Sequence, residues 1–439
     1  MTTDLPLAIY GETEEKTIEQ IKNCFVESAV GGALLGDNHY GYSQPVGGVV
    51  AYTDHISVSG VGYDIACGNK AVKTSYNIAD LGHEFSEGIV AHWMDRIAEE
   101  VSFGMGRNSE LGLDHPVLDE IANADFEGQR QFADLASKQL GTVGGGNHYV
   151  DLFLDEEGWI WIGVHFGSRG FGHKTATGFI SVAQGKNFND TPSDSGMDSA
   201  PDLLSINSDS GQAYIAAMDL AGKYAYAGRD VICSTVLEIL GAESTFEVHN
   251  HHNFAWRETH NGKDVWVIRK GATPAFEGQL GFVGGSMGDI SVILEGTQSP
   301  NDSDNFCSTV HGAGRVMSRT RAAGKMKKRW TCSNRDCDWF AGFGEHKPDP
   351  VECPKCEHTK MSKQWQQVLP GEINFDEVQE EIRGKGIELR GAGADEAPGV
   401  YKRLPEVLEA HTGQIKILHT LTPIGVAMAG PDVKDAFRD

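Results

Sequence analysis

Histidine, cysteine and aspartate gather in five short segments of this sequence, and each segment suits metal binding or attack on phosphorus. Within residues 60–68, Asp64 and Cys67 stand three positions apart, so both can turn toward one point. A thiolate is soft and able to bridge two metals, whereas a carboxylate is hard and suits manganese or magnesium. Taken alone, the pair is more commonly a buried cysteine beside a turn. Three glycines and Asn147 introduce His148, where glycine would only weaken packing. His165 ends an apolar run that starts at Trp159 and is followed by Ser168 and Arg169, as at a strand that opens into a polar loop. His249, His251 and His252 fall within four positions. Each histidine has an ordinary structural explanation by itself. Together with Asp64 and Cys67 they supply enough ligands for a two-metal site.

The fifth segment opens with His311, followed by Gly312, Ala313 and Gly314. A phosphate can sit against backbone N–H groups of such a turn, and a neutral imidazole is a competent nucleophile toward phosphorus. Arg315 and Arg319 are four apart, so on a helix they would share a face and could both meet phosphate oxygens.

These groups must be held by a sizeable fold. The chain has 439 residues, 40% of them hydrophobic, which is ample for a large core in one large domain or two smaller ones. Helical spacing predicts a helix over residues 14–29 (Ile18, Ile21, Phe25, Ala29) and one long or two shorter helices over 211–240, with further helical patterns near 375–383 and 403–411. Residues 264–268 and 290–294 read as strands, and 185–210 as a long polar loop. The mixture predicts α+β or α/β. No run is apolar enough to span a membrane and the N-terminus lacks a signal-like pattern, so a soluble cytoplasmic protein is expected.

The net charge of -25 runs against a protein that grips nucleic acid through phosphates. One stretch inverts it. Arg315, Arg319, Arg321, Lys325, Lys327, Lys328 and Arg329 follow one another with no acidic residue between them, a local strip able to steer a polyanion. It leads into residues 330–366, where Cys332 and Cys337 precede Cys353 and Cys356. Two close cysteine pairs across a short span predict a zinc ribbon with a closed, structural site; His346 and His358 are possible substitute ligands. Four of the eight cysteines are thereby used, which fits a reducing compartment better than a disulfide framework.

Taken in order, the motifs resemble the RtcB family of RNA-splicing ligases: the Asp64–Cys67 loop, the glycines before Asn147-His148, His165 with Ser168-Arg169, His252-Asn253-Phe254, Arg269-Lys270, Gly285-Ser286-Met287-Gly288, the His311–Arg319 segment, and Asp395-Glu396-Ala397-Pro398 with Tyr401-Lys402. They cover about residues 30 to 430 apart from the ribbon. The resemblance implies a single large α+β catalytic domain built from residues 1–329 and 367–439, with 330–366 inserted.

It also implies roles. Cys67 bridges two Mn2+ ions, Asp64 and His148 complete one site, and His165 and His252 the other; His252 is preferred to its neighbours because it directly precedes Asn253. His311 attacks the α-phosphate of GTP and carries GMP. Asn147, His148, Asp151, Asn253, Ser286, Met287, Ser291, Gly312, Ala313, Gly314 and Tyr401 belong to the nucleotide pocket, with Asp151 and Tyr401 toward guanine. RNA with a 3′-phosphate or 2′,3′-cyclic phosphate is joined to a 5′-hydroxyl. Apart from the resemblance, Arg169 and the basic strip Arg315–Arg329 are expected to meet the RNA, with the ribbon helping to hold it. A monomer is expected. Departures from the family pattern are Asp151 in place of Glu, Gly284 in place of Pro, no Lys before Gly430, and the added ribbon. Two other functions fit the residues: an end-modifying enzyme that opens cyclic phosphates or caps ends without sealing, and a non-catalytic zinc-ribbon RNA-binding protein.

Overall fold

A computed structural model describes residues 5–430 except positions 27, 87, 110–111, 194–195, 300–301, 335 and 343–351. Helices and strands are mixed without regular alternation. The larger sheet places its strands in the order Ser244–His251, Gly68–Asn77, Trp159–Phe166, Tyr149–Leu154, Ile415–Met428, Ser291–Gly296 and Leu280–Val283. Neighbours on this path run antiparallel, and Glu388–Arg390 adds a parallel partner to Ile415–Met428. A five-stranded sheet contains Leu7–Ile9, Ala29–His39, Val46–Tyr52, Lys263–Lys270 and Asn253–His260.

Local chemistry fixes the central hairpin. Asp155 Oδ1 accepts from the amides of Glu157 and Trp159, and its Oδ2 accepts from Trp161 Nε1, so one carboxylate closes the turn between Tyr149–Leu154 and Trp159–Phe166. The turn sets the register that brings Tyr149 opposite His165.

Residues 211–240 lie in a single helix, Asp209–Leu240, about 48 Å long at ordinary helical rise. Ser208 Oγ caps it by accepting from Gly211 N, and Gly241 ends it in the left-handed region at φ 71°. Its buried side includes Tyr214, Met218, Ala221 and Ala225 against one core, then Ile232 and Val236 against another. The predicted helix at 14–29 is shorter: it spans Glu15–Asn23, and residues from Ala29 form a strand. Cys24, Phe25, Val26 and Ser28 lie in neither helix nor strand; Phe25 N donates to Lys22 O and Ala29 N to Val26 O, so the chain turns before the strand begins. Residues 264–268 lie in strand Lys263–Lys270, and 291–294 in Ser291–Gly296. The 185–210 segment contains a short strand, Leu203–Ser205, paired with His55–Ser57. The two C-terminal helices are Phe375–Gly384 and Leu404–Glu409.

The cysteine-rich segment sits on a two-stranded antiparallel stem, Lys325–Cys332 against Met361–Leu369. His346 lies outside the described residues. Among the described residues, no helix is long and apolar enough to cross a membrane.

Candidate active site

Strand ends of the larger sheet converge on one cleft of about 790 Å³. Cys67 immediately precedes strand Gly68–Asn77, and its amide donates to Asp64 O in a tight turn. His148 immediately precedes Tyr149–Leu154, His165 lies near the end of Trp159–Phe166, and His252 occupies the turn between Ser244–His251 and Asn253–His260. Cys67 Sγ lies 3.7 Å from His148 Nε2 and 3.6 Å from His165 Nε2. Two groups of ligand atoms result, each with all members within 4.8 Å of one another: Asp64, Cys67 and His148, and Cys67, His165 and His252. The sulfur belongs to both.

Electrostatics suit a cation. Burial opposes ionisation of Asp64, but hydrogen bonding to His148 and its charge hold the carboxyl down to about 2. Burial, then Asp64, pushes the Cys67 thiol well up, a cost that a bound cation offsets. Burial holds the His165 and His252 imidazoles well below their ordinary range, so both are neutral ligands at pH 7. His252 Nδ1 is buried with no hydrogen-bond partner among the described residues.

The surrounding groups orient these ligands. Asn69 Oδ1 accepts from His165 Nδ1 at 2.6 Å, which leaves Nε2 directed to the sulfur. Fully buried Arg229, from the long helix, donates to Ala66 O at 3.1 Å and Phe166 O at 2.5 Å. The same guanidinium donates to His249 Nε2 and His251 Nδ1, which accounts for the two histidines beside His252. Nothing in the spacing of helix 209–240 marks Arg229; a charged residue on an otherwise small and apolar face was the available signal.

His311 comes from the loop after strand Ser308–Val310, and its ring lies 4.7 Å from that of His252. Its Nδ1 donates to Asp37 Oδ2 at 2.6 Å, and the same oxygen accepts from the amides of His311 and Gly312. Asp37 is fully buried; burial opposes its ionisation, but His311 lowers its pKa. Gly314 has φ +74°, and a Cβ there would sit 2.1 Å from the backbone oxygen of Asp37, so only glycine lets the turn pass against the Asp37 main chain. Sequence reasoning missed Asp37, which stands 274 positions earlier in a strand that reads as ordinary.

Asn147, Asp151, Asn253, Ser286, Met287, Gly312, Ala313, Gly314 and Tyr401 line the cleft. Asn253 bridges Asp64 O and the Gly271 amide. Ser291 is buried and its hydroxyl accepts from Gly285 N, so it shapes the turn behind the wall. Tyr149 and Asp151 share a strand face, and Tyr149 Oη and Asp151 Oδ1 are buried without hydrogen-bond partners among the described residues. Burial pushes both pKa values well up. A Cβ at Gly284 would lie 2.3 Å from Tyr149 Oη, so this hydroxyl excludes any larger residue at 284.

The expected shared helical face of Arg315 and Arg319 is corrected: the helix begins only at Arg319, because Arg315 pairs in a bridge with Tyr401. Both guanidiniums converge instead on buried Glu396, at 3.2 and 3.3 Å, and Arg315 also donates to Tyr401 Oη and Asp395 O. Tyr401 donates its hydroxyl to Glu396 as well. Arg169 is turned inward, toward Thr142 Oγ1 and Gly104 O. Lys325, Lys327 and Lys328 are exposed and Arg329 half-buried on the ribbon stem. Cys332, Cys337, Cys353 and Cys356 place their sulfurs within 4.8 Å of one another, and the amides of Asn334 and Lys355 donate to Cys332 and Cys353. His358 donates its amide and accepts through its carbonyl nearby, at Cys356 and Cys353, without its ring joining the group.

Comparison with known proteins shows the family. The family model described as tRNA-splicing ligase RtcB matches residues 22–135 and 119–337. The chain is 31% identical over 338 residues to the RNA-splicing ligase RtcB of Escherichia coli K12, covering 72% of this chain and 80% of that protein. It is 29% identical to the tRNA-splicing ligase RtcB of Archaeoglobus fulgidus and 27% identical to that of Thermococcus kodakarensis, each over 94% of this chain and 91% of the relative. With its ligand-bearing strand ends gathered around one sulfur and a family match that spans most of its length, the chain belongs to the RtcB family.

Proposed function

We propose that this protein is an RNA ligase that joins an RNA 3′-phosphate or 2′,3′-cyclic phosphate to a 5′-hydroxyl through GMP carried on His311. The observation that carries the reading is the sharing of Cys67 between two ligand groups, one of which contains His252, whose ring lies 4.7 Å from that of His311. The names of the relatives, RNA-splicing and tRNA-splicing ligases, point the same way.

The donor set fits two manganese ions: one soft sulfur, one ionised carboxylate and three imidazoles, of which His148 and His252 each have a buried Nδ1 without a partner among the described residues. Bound there, the cations neutralise phosphate charge and align attacking and leaving groups. The four ribbon thiols fit a structural zinc ion.

Asp37 accepts the Nδ1 proton of His311, so Nε2 holds the lone pair. His311 attacks the α-phosphorus of GTP; a P–N bond forms, the bond to pyrophosphate breaks, and pyrophosphate leaves. Asp37 stabilises the positive charge that develops on the ring. Where the end is a 2′,3′-cyclic phosphate, water first adds to phosphorus and the bond to the 2′-oxygen breaks, leaving a 2′-hydroxyl and a 3′-phosphate. An oxygen of the RNA 3′-phosphate then accepts the guanylate as the P–N bond breaks. The 5′-hydroxyl attacks the activated 3′-phosphorus, and GMP leaves. Arg315 and Arg319 line the same cleft and carry positive charge beside these phosphates.

The test is labelling with α-labelled GTP and manganese. Wild type takes up acid-labile, alkali-stable GMP and His311→Ala takes up none; incubation with RNA then yields sealed product. Opened or capped ends without sealing would replace ligation with end modification.

A further inference from the structure

The charge of this protein is distributed against its average. The net charge is -25, yet neither strand of the ribbon stem contains an acidic residue, and the two carry Lys325, Lys327, Lys328, Arg329 and Lys363. Earlier members of the basic strip are engaged with carboxylates: Arg315 and Arg319 with Glu396, and Arg321 with Glu372. The stem itself carries these five basic side chains, of which Lys325, Lys327, Lys328 and Lys363 are exposed.

Aromatic groups lie among these cations. Arg329 sits 4.5 Å over the ring of Phe340, and Lys363 5.4 Å over that of Trp330. Phe340 is 46% exposed and Met326 49% exposed. A third short segment completes the surface, since Thr331 bridges to Phe340 and Ala341 N donates to Trp330 O. Cations beside an exposed ring suit a chain with phosphates and unstacked bases, because every base presents a π-face.

The stem is also rooted beside the cleft. The amides of Glu372 and Ile373 donate to the carbonyls of Arg321 and Ala322, so both strands spring from helix Arg319–Ala323. That helix begins with Arg319, which lines the cleft. Eight extended residues carry the stem strand about 26 Å outward.

We infer that the ribbon stem is a platform for single-stranded RNA outside the cleft, with phosphates on Lys325, Lys327, Lys328 and Arg329 and a base on Phe340. The inference deepens the ligase reading and rests on it for the identity of the nucleic acid. Its function is to hold the strand leading to the reacting end, so that affinity for long RNA exceeds what the cleft supplies.

The experiment measures binding of the full-length protein to a single-stranded RNA long enough to extend past the cleft, to a very short RNA, and to a duplex, across a salt series. One variant carries Lys325→Gln, Lys327→Gln, Lys328→Gln and Arg329→Gln; a second carries Phe340→Ala. Thermal melting and zinc content check that each is folded. The four-fold variant is expected to lose about tenfold or more in affinity for the long strand and to reduce the log–log salt slope by about 3. Phe340→Ala is expected to lose about tenfold with the slope unchanged. The short RNA is expected to bind all three proteins alike. Unchanged affinity and slope in a folded four-fold variant overturn the platform, and an equal loss on the duplex overturns its single-strand character. GMP labelling of the same wild-type preparation reports separately on the ligase reading: failure there with stem-dependent binding intact counts against catalysis and leaves the platform standing.

Discussion

Asp37 Oδ2 lies 2.6 Å from His311 Nδ1 and at the same time accepts the backbone amides of His311 and Gly312. One buried oxygen thus fixes the position, rotation and tautomer of the imidazole. Asp37→Asn keeps the shape but offers its amide in place of a charged acceptor. GMP labelling of His311 should slow by up to about 10⁴-fold, the loss seen when a catalytic histidine is deprived of its orienting carboxylate. The KM for GTP should change little. Labelling at the wild-type rate would remove Asp37 from the chemistry.

Because Cys67 belongs to both ligand groups, substitutions there and at its neighbours should differ in kind. Cys67→Ala should abolish tight binding of two manganese ions per chain, while His148→Ala and His252→Ala should each remove one. Metal analysis after dialysis, with manganese paramagnetic resonance, distinguishes a shared sulfur from two separate sites.

Tyr149 Oη is buried without a partner among the described residues, against the open side of Gly284. A polar group left unbonded in the free protein costs about 1–3 kcal/mol. Tyr149→Phe should therefore leave the melting temperature equal or raise it. If the nucleotide supplies the missing partner, the same change raises KM for GTP and leaves the labelling rate at saturation unaltered. A lower melting temperature would mean that the hydroxyl is already satisfied.

Arg269 is fully buried and grips Glu258 with two bonds, at 2.6 and 3.0 Å, while also holding Phe306 O and Ser308 Oγ just ahead of His311. Burial opposes ionisation of Glu258, but Arg269, followed by His260, brings its carboxyl below the usual range. A carboxyl with a folded pKa below its unfolded value of about 4.3 stabilises the fold above that pH, and the contribution disappears as pH falls through the folded value. Denaturant melts should show this loss on acidification. Glu258→Gln should cost about 3–5 kcal/mol at pH 7, because it strands a buried guanidinium, and should flatten the acid limb.

The sequence exposed those parts of the site that are chemically unusual where they stand. Cys67, His148 and His252 each adjoin a strand end and a glycine or asparagine, His165 lies one residue from a strand end, Asp64 lies in the turn before Cys67, and the fold brings all five to one place. Asp37 and Arg229 were illegible because their function comes from tertiary placement. Asp37 looks like any polar residue near a strand end, and Arg229 like a stray charge on a helix. The same holds for Glu396, whose role depends on two arginines arriving from a different segment. Secondary structure followed periodicity where packing agreed with it, as in Asp209–Leu240. It failed after Asn23, where the chain turns through Phe25 and Val26 before entering the strand at Ala29, although the local spacing was helical.

Arg229 reaches the carbonyls of Ala66 and Phe166 with one nitrogen, so it clasps the chain directly before Cys67 and directly after His165. Sulfur and imidazole are consequently mounted on a common rigid support, and their spacing is set before any ion arrives. Ions of unsuitable radius would have to deform that clasp to be accommodated, so the long helix would bear on which metal the site admits.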